Sequence, residues 1–256
     1  MRKSLFAVAV AAALSVPSFV MAADAPAPSP FTGNVGFATE YLYRGIAQTA
    51  GKPALQGGFD YAHASGAYVG VWGSNISWLE NAKASGASLE VDIYGGYKGA
   101  MGDLGYDVGV LTYSYPGTVS PGFANPNTTE LYGAVTWKIL TVKYSQSTTN
   151  LFGIGNSRNS TYLELNVAQD LGNGWGVTGH VGKQTVKNSG FASYTDYKLG
   201  VTKDVGVGVV GLALTTTNAN DNCGSNDFYC VQTRPDGAFN YSAGKSRVVL
   251  NFTKTF

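Results

Sequence analysis

From residue 33 to residue 256, apolar and polar side chains alternate with a period of two, segment after segment. Period two is the repeat of a β-strand, whose successive side chains leave on opposite faces, so each segment carries one apolar and one polar face. In the first, Val35, Phe37, Thr39, Tyr41 and Tyr43 share one face, and Asn34, Gly36, Ala38, Glu40 and Arg44 the other. Leu55, Phe59 and Tyr61 likewise oppose Gln56, Asp60 and Ala62. Leu89, Val91, Ile93 and Tyr97 oppose Glu90, Asp92 and Lys98, and Leu163, Leu165 and Val167 oppose Tyr162, Glu164 and Asn166. The pattern predicts about twelve strands, roughly 33–44, 54–63, 67–77, 88–98, 103–115, 129–137, 140–147, 160–169, 174–184, 194–203, 207–217 and 246–256.

Amphipathic strands in that number need a cover for their apolar faces. A soluble barrel turns those faces inward and clothes its exterior with charge, but only 13% of the residues are charged, against about 25% in an ordinary soluble domain. Lipid is the other cover. After the N-terminal segment there is no run of about 18 apolar residues, which excludes a helical membrane protein. A closed β-barrel is then the spanning structure that leaves no backbone polar group unpaired.

Connection lengths agree. Short turns near 63–66, 98–102, 138–139, 170–174 and 203–206 alternate with long loops near 45–53, 78–87, 116–128, 148–159, 185–193 and 218–245. Outer-membrane barrels have an even number of antiparallel strands, short periplasmic turns, longer extracellular loops and aromatic girdles at both interfaces. The expected fold is therefore all-β, a transmembrane antiparallel up-and-down β-barrel of about 12 strands. With both termini periplasmic, Phe59, Tyr61, Tyr97, Tyr106, Trp137 and Trp175 fall near the inner rim, and Tyr41, Tyr43 and Tyr197 near the outer one.

The first residues read as an address. Arg2 and Lys3 precede the apolar stretch Leu5 to Val16 and the small-residue segment ending at Ala22-Ala23, the form of a secretory signal peptide cleaved after Ala22 or Ala23. Residues 1–22 are thus expected to be the signal, 23–31 a proline-rich periplasmic leader and 32–256 the barrel. At the other end Val248, Leu250, Phe252 and Phe256 share one face of the last strand. A terminal aromatic there, Phe256, resembles the signal read by the barrel-assembly machinery. The expected location is the bacterial outer membrane.

Tyr41 to Thr49, followed by Lys52 to Tyr61, resembles the opening of the TorF family of outer-membrane porins, long grouped as conserved bacterial proteins of unknown function. Tyr68 to Ile76, Glu90 to Gly99, Tyr106 to Gly109 and Tyr113 to Gly117 extend the resemblance, which is clear over residues 33–117. It implies a barrel that acts as a porin and supplies no catalytic residues.

An aqueous pore needs polar groups in its wall. The inward faces hold Glu40, Asp60, Glu90, Asp92, Asp107, Glu130, Glu164 and Asp196 against Arg44, Lys98, Lys143, Lys198 and Arg247. These are the pore-lining candidates, and their surplus of acids predicts a mild preference for cations, as rings of carboxylates select for them. The competing reading is a set of salt-bridge ladders filling a narrow lumen, since twelve strands fall between filled eight-stranded and open sixteen-stranded barrels. Arg44 could grip a solute carboxylate or phosphate, although pairing with a wall carboxylate is the plainer reading. Tyr68, Trp72, Tyr94, Tyr113 and Tyr132 could form a stacking track or simply fill space. Cys223 and Cys230, in an exported chain, are expected to form one disulfide restraining the longest loop, and that loop, 218–245, is the best candidate for a constriction.

His63 and His180 are the two histidines, and neither sits in a pattern pointing to hydrolysis. There is no zinc spacing, calcium loop or phosphate loop, no basic stripe for nucleic acid, and no cofactor is implied. The function expected is passive diffusion of small hydrophilic solutes, with outer-membrane lipids and the assembly machinery as partners. A non-conducting structural or adhesive barrel is the alternative, and a barrel hydrolase a more distant one.

Overall fold

A computed structural model describes residues 29–234 and 236–256, so the signal peptide and most of the leader lie outside the described residues. Twelve strands form one closed antiparallel barrel. They are β1 (Phe31–Ala38), β2 (Ala54–Ala62), β3 (Ala67–Asn75), β4 (Leu89–Met101), β5 (Leu104–Ser114), β6 (Thr128–Trp137), β7 (Leu140–Ser147), β8 (Thr161–Gly172), β9 (Trp175–Thr185), β10 (Tyr194–Asp204), β11 (Val209–Thr217) and β12 (Arg247–Thr255). Each pairs with its neighbours in sequence, and β12 returns to β1. That closing seam holds five paired residues, Asn34–Ala38 against Asn251–Thr255, with reciprocal backbone bonds of 2.8 and 2.9 Å between Gly33 and Phe256 below them. Five is the fewest at any of the twelve interfaces.

The outer face is apolar where the alternation places it. Leu55, Phe59, Ile93, Val108, Leu131, Leu163, Leu199, Leu214 and Val248 are all more than half exposed, which in water would be a severe aggregation liability and in lipid is the ordinary condition of such a wall. Phe31 packs with Phe59 and Tyr61, and Tyr97 stacks on Tyr106 at 6.3 Å. Lys138 lies over Trp137 and Lys203 over Trp175, at 4.8 and 5.0 Å. Each places a cation beside an amphipathic ring at the end with the short turns, where such rings anchor a barrel. At the opposite rim Tyr144 and Tyr197 are exposed.

One predicted strand is shorter than the alternation indicates. β1 stops at Ala38, and residues 39–53 turn into the barrel instead of continuing up its wall. Leu42–Tyr43 pairs with Ile46–Ala47 as a two-stranded ribbon joined by Arg44 and Gly45, whose φ values are 46° and 78°. Positive φ at both central residues is the type I′ geometry that matches the twist of a two-residue hairpin. Tyr41 and Tyr43 are consequently not part of the outer girdle: Tyr41 is buried and Tyr43 half-buried. The burial of the rings explains the departure, because the lumen gives both an aromatic partner, Trp72 for Tyr41 and Tyr113 for Tyr43.

Candidate functional site

Polar side chains facing inward from twelve strands, together with the folded-in first loop, form the candidate site. Its centre is Arg44. The guanidinium meets Glu130 of β6 through two bonds, 3.0 and 2.7 Å, and donates to Gln184 of β9 at 2.7 Å. It lies 4.0 Å from the Tyr162 ring centroid. A planar fork matched to a carboxylate and stacked on an aromatic face is the arrangement for which Arg is suited and Lys is not. Tyr43 and Tyr113 share a hydroxyl bond of 2.7 Å, and the Tyr113 hydroxyl reaches Glu130 at 3.2 Å. Phe152, from the 148–160 loop, closes edge-on against both rings. Starting from β1, the hairpin thus spans the interior to β6, about half the circumference away.

A second anchor ties the same loop to the end of the chain. Glu40 accepts the Gly51 backbone N–H at 2.8 Å, receives the Tyr241 hydroxyl, and stands 3.2 Å from Arg247 Nε. Arg247 also donates to the Ser242 carbonyl at 2.5 Å and lies over the Tyr241 ring. Ile46 and Ala47 pack with Tyr194 and Ala243, and the Ala47 N–H donates to the Ala243 carbonyl. The 218–246 loop, the best sequence candidate for a constriction, packs on the first loop through Ala219, Tyr229, Tyr241 and Ala243. Cys223 and Cys230 form a disulfide in it, with Cα atoms 5.2 Å apart.

Below the hairpin the lumen is lined by polar ladders. His180 Nε2 lies 2.8 Å from Asp196 and 3.0 Å from the Tyr162 hydroxyl, while Nδ1 lies 2.7 Å from Asn166 and 3.6 Å from Glu164. Both ring nitrogens are thereby held by wall oxygens, so the histidine braces β8 against β9 and β10. Tyr68 donates to Asp107 at 2.6 Å and meets Tyr132, and Tyr94 donates to Asp60 at 2.6 Å. Lys98 lies over Tyr68 and Lys143 over Tyr132. Across strands Lys98 pairs with Asp107, Lys143 with Glu164, and His180 with Lys198.

All thirteen pore-lining candidates therefore face the interior, but they occupy different levels. Glu40, Arg44, Glu130 and Arg247 anchor the first loop inside the barrel, with Glu90, Asp92 and Asp196 beside it. Asp60, Lys98, Asp107, Lys143, Glu164 and Lys198 line the wall below. The tyrosines do not form a continuous track: Tyr113 is tied to Tyr43 and Glu130, while Tyr68 and Tyr94 hold Asp107 and Asp60 at the wall and Tyr132 meets Tyr68. Gln184, Tyr162 and Phe152 were not singled out as site residues, and only the inward parity of Gln184 and Tyr162 pointed to them. The wall is also lopsided. β3–β8 contribute most of the rings and acids, whereas on β10–β12 and β1 Gly36, Gly200, Gly211, Ala213 and Val249 share the inward face with Tyr194, Asp196, Lys198, Arg247 and Asn251.

An apolar exterior, alternating loop lengths and a charged interior define this molecule as an up-and-down transmembrane barrel with the fold of outer-membrane porins. The chain belongs to a bacterial protein family of unknown function, Gcw_chp, whose model matches residues 22–256. No curated protein matches the sequence. Among solved structures it is similar to the KdgM porin in complex with disordered oligogalacturonate, with a TM-score of 0.54 and 6% identity over 88% of this chain and 99% of that one. A further KdgM porin structure gives 0.51 at 6% identity, with the same coverage. The NanC porin gives 0.50 at 9%, over 88% of this chain and 98% of that one. These likenesses establish a shared fold.

Proposed function

We propose that this protein is an outer-membrane porin-like channel through which small hydrophilic solutes diffuse, with a mild preference for cations. The observation that carries this reading is the wall itself: charged and hydroxyl-bearing side chains face inward along the whole barrel while its lipid face is apolar. The acid surplus, eight against five, sets the sign of selectivity. The same reading includes, as further parts of the proposal, export by a cleaved signal peptide, periplasmic termini, delivery by the assembly machinery and kinship with the TorF-type porins that residues 33–117 resemble.

Planar-bilayer recording of the purified, folded barrel tests it. Stepwise conductance with a reversal potential of cationic sign in a salt gradient is expected; anionic sign would reverse the selectivity, and no conductance from verified barrels would remove the channel. A specific observation favours a second reading, a non-conducting barrel: the hairpin, Glu130, Tyr113 and Phe152 are packed across the interior. The same recording separates the two. A hydrolytic role is the least supported, because His180 is held by Asp196, Asn166 and Tyr162 in a bracing network and not beside a free nucleophile.

A further inference from the structure

Glu90 and Asp92 stand two residues apart on the lumen face of β4, with Ser74 and Trp72 of β3 as their cross-strand partners. They are 1% and 8% exposed. Glu90 accepts the Tyr41 hydroxyl at 2.9 Å and also bonds Tyr115. Asp92 is different: its Oδ1 is enclosed and has no hydrogen-bond partner among the described residues. Glu90 and Glu130, both of its own sign, act on it electrostatically. Arg44, the cation that anchors the first loop, is already engaged with Glu130 and Gln184. A buried carboxylate without a counter-charge is strongly unfavourable, and here two adjoin.

We propose that Glu90 and Asp92 hold a divalent cation, calcium before others, beside the anchored first loop. The groups that would serve as donors are oxygens: the two carboxylates, the phenols of Tyr41 and Tyr115 on Glu90, and the hydroxyl of the cross-strand Ser74. Such a set selects hard cations over zinc or copper. Two carboxylates balance a double positive charge. Calcium tolerates the irregular, partly flexible cage that side chains from a strand and an inserted loop would form, whereas magnesium demands near-ideal octahedral geometry. With only two charged ligands the affinity falls in the weak class, a Kd of about 10⁻⁴–10⁻³ M. Tyr41 belongs to the first loop, so the ion would also tie that loop to β4. The site stands whether or not the barrel conducts.

Terbium, which substitutes for calcium and is sensitised by nearby indoles, tests this directly, since Trp72 is the cross-strand partner of Asp92. Folded barrel in detergent, its folding checked by heat-modifiable gel migration, is titrated with terbium under tryptophan excitation and then with calcium. Saturable emission displaced by calcium is expected, with affinity at least 10-fold weaker in Asp92→Asn and Glu90→Gln and unchanged in Glu80→Gln, a loop control. Calcium should also raise the thermal midpoint of the native chain and not of Asp92→Asn. Non-saturable emission in the native chain, or native affinity in Asp92→Asn, overturns the site and leaves a shared proton as the neutraliser of the pair. Because the readout is binding, its failure leaves the channel reading untouched.

Discussion

Replacing Arg44 by Met keeps most of the stem over Tyr162 and removes the charged fork. Glu130, 2% exposed, would then lose its paired cation and bonds of 3.0 and 2.7 Å. Breaking a buried pair by deleting one partner costs about 3–5 kcal/mol, because the remaining charge is stranded. That is a factor of about 150 to 5,000 in the unfolding equilibrium. Urea unfolding in detergent micelles, followed by tryptophan fluorescence, reads the shift. The cost comes from the stranded charge, so Arg44→Met combined with Glu130→Gln should recover most of it, leaving the pair strongly non-additive. Arg44→Lys should lose an intermediate amount, since an ammonium cannot reproduce the two parallel bonds. A loss below about 1 kcal/mol in Arg44→Met, or a double variant that loses the sum of the two singles, would refute the view that this pair anchors the first loop.

Gly45→Ala should destabilise the barrel by about 2–4 kcal/mol, read from the same urea curves, because φ is +78° and the new Cβ would fall 2.5 Å from Thr217 Cγ2 and 2.8 Å from Asp196 Cβ. Converting Cys223 and Cys230 together to Ser should cost about 2.5 kcal/mol of chain-entropy stabilisation for a loop closed over a separation of 7 residues, with no bound metal lost on elemental analysis. The 218–246 loop should then be cut faster by protease. Phe256→Ala should lower the yield of heat-modifiable barrel in cells, because the ring covers Gly33 and the backbone pair at that position ends the seam; an unchanged yield would refute a role for this residue in assembly.

Most of the wall was legible in the sequence. Twelve strands were expected and twelve close the barrel, with the inward parity of Glu90, Asp107, Glu130, Glu164 and Asp196 as read, because lipid on one side and a polar lumen on the other enforce strict alternation. The first loop was not legible. Thr39, Tyr41 and Tyr43 keep the parity of Val35 and Phe37, so periodicity alone carries the strand onward to residue 44. The turn is specified instead by Arg44-Gly45, and a positive φ at an arginine is too uncommon to be a recognisable hairpin signal. Nor could the pairing of Arg44 with Glu130, 86 residues apart, be read from the chain, since it depends on how far the inserted hairpin reaches across the barrel. The inward parity of these acids could be read from the chain; which of them anchor the first loop and which lie lower on the wall required the register.

The seam between β1 and β12 has the shortest ladder in the barrel, and it is also where the first loop is fastened. Glu40 follows β1 and Arg247 begins β12, and their 3.2 Å contact, with the Ala47–Ala243 bond above it, bridges the two strands from within. Pulling those strands apart sideways therefore means dismantling the inserted hairpin as well as unzipping five pairs. In mechanical terms the loop is a latch on the join: opening the barrel at its shortest ladder means breaking the loop's contacts as well.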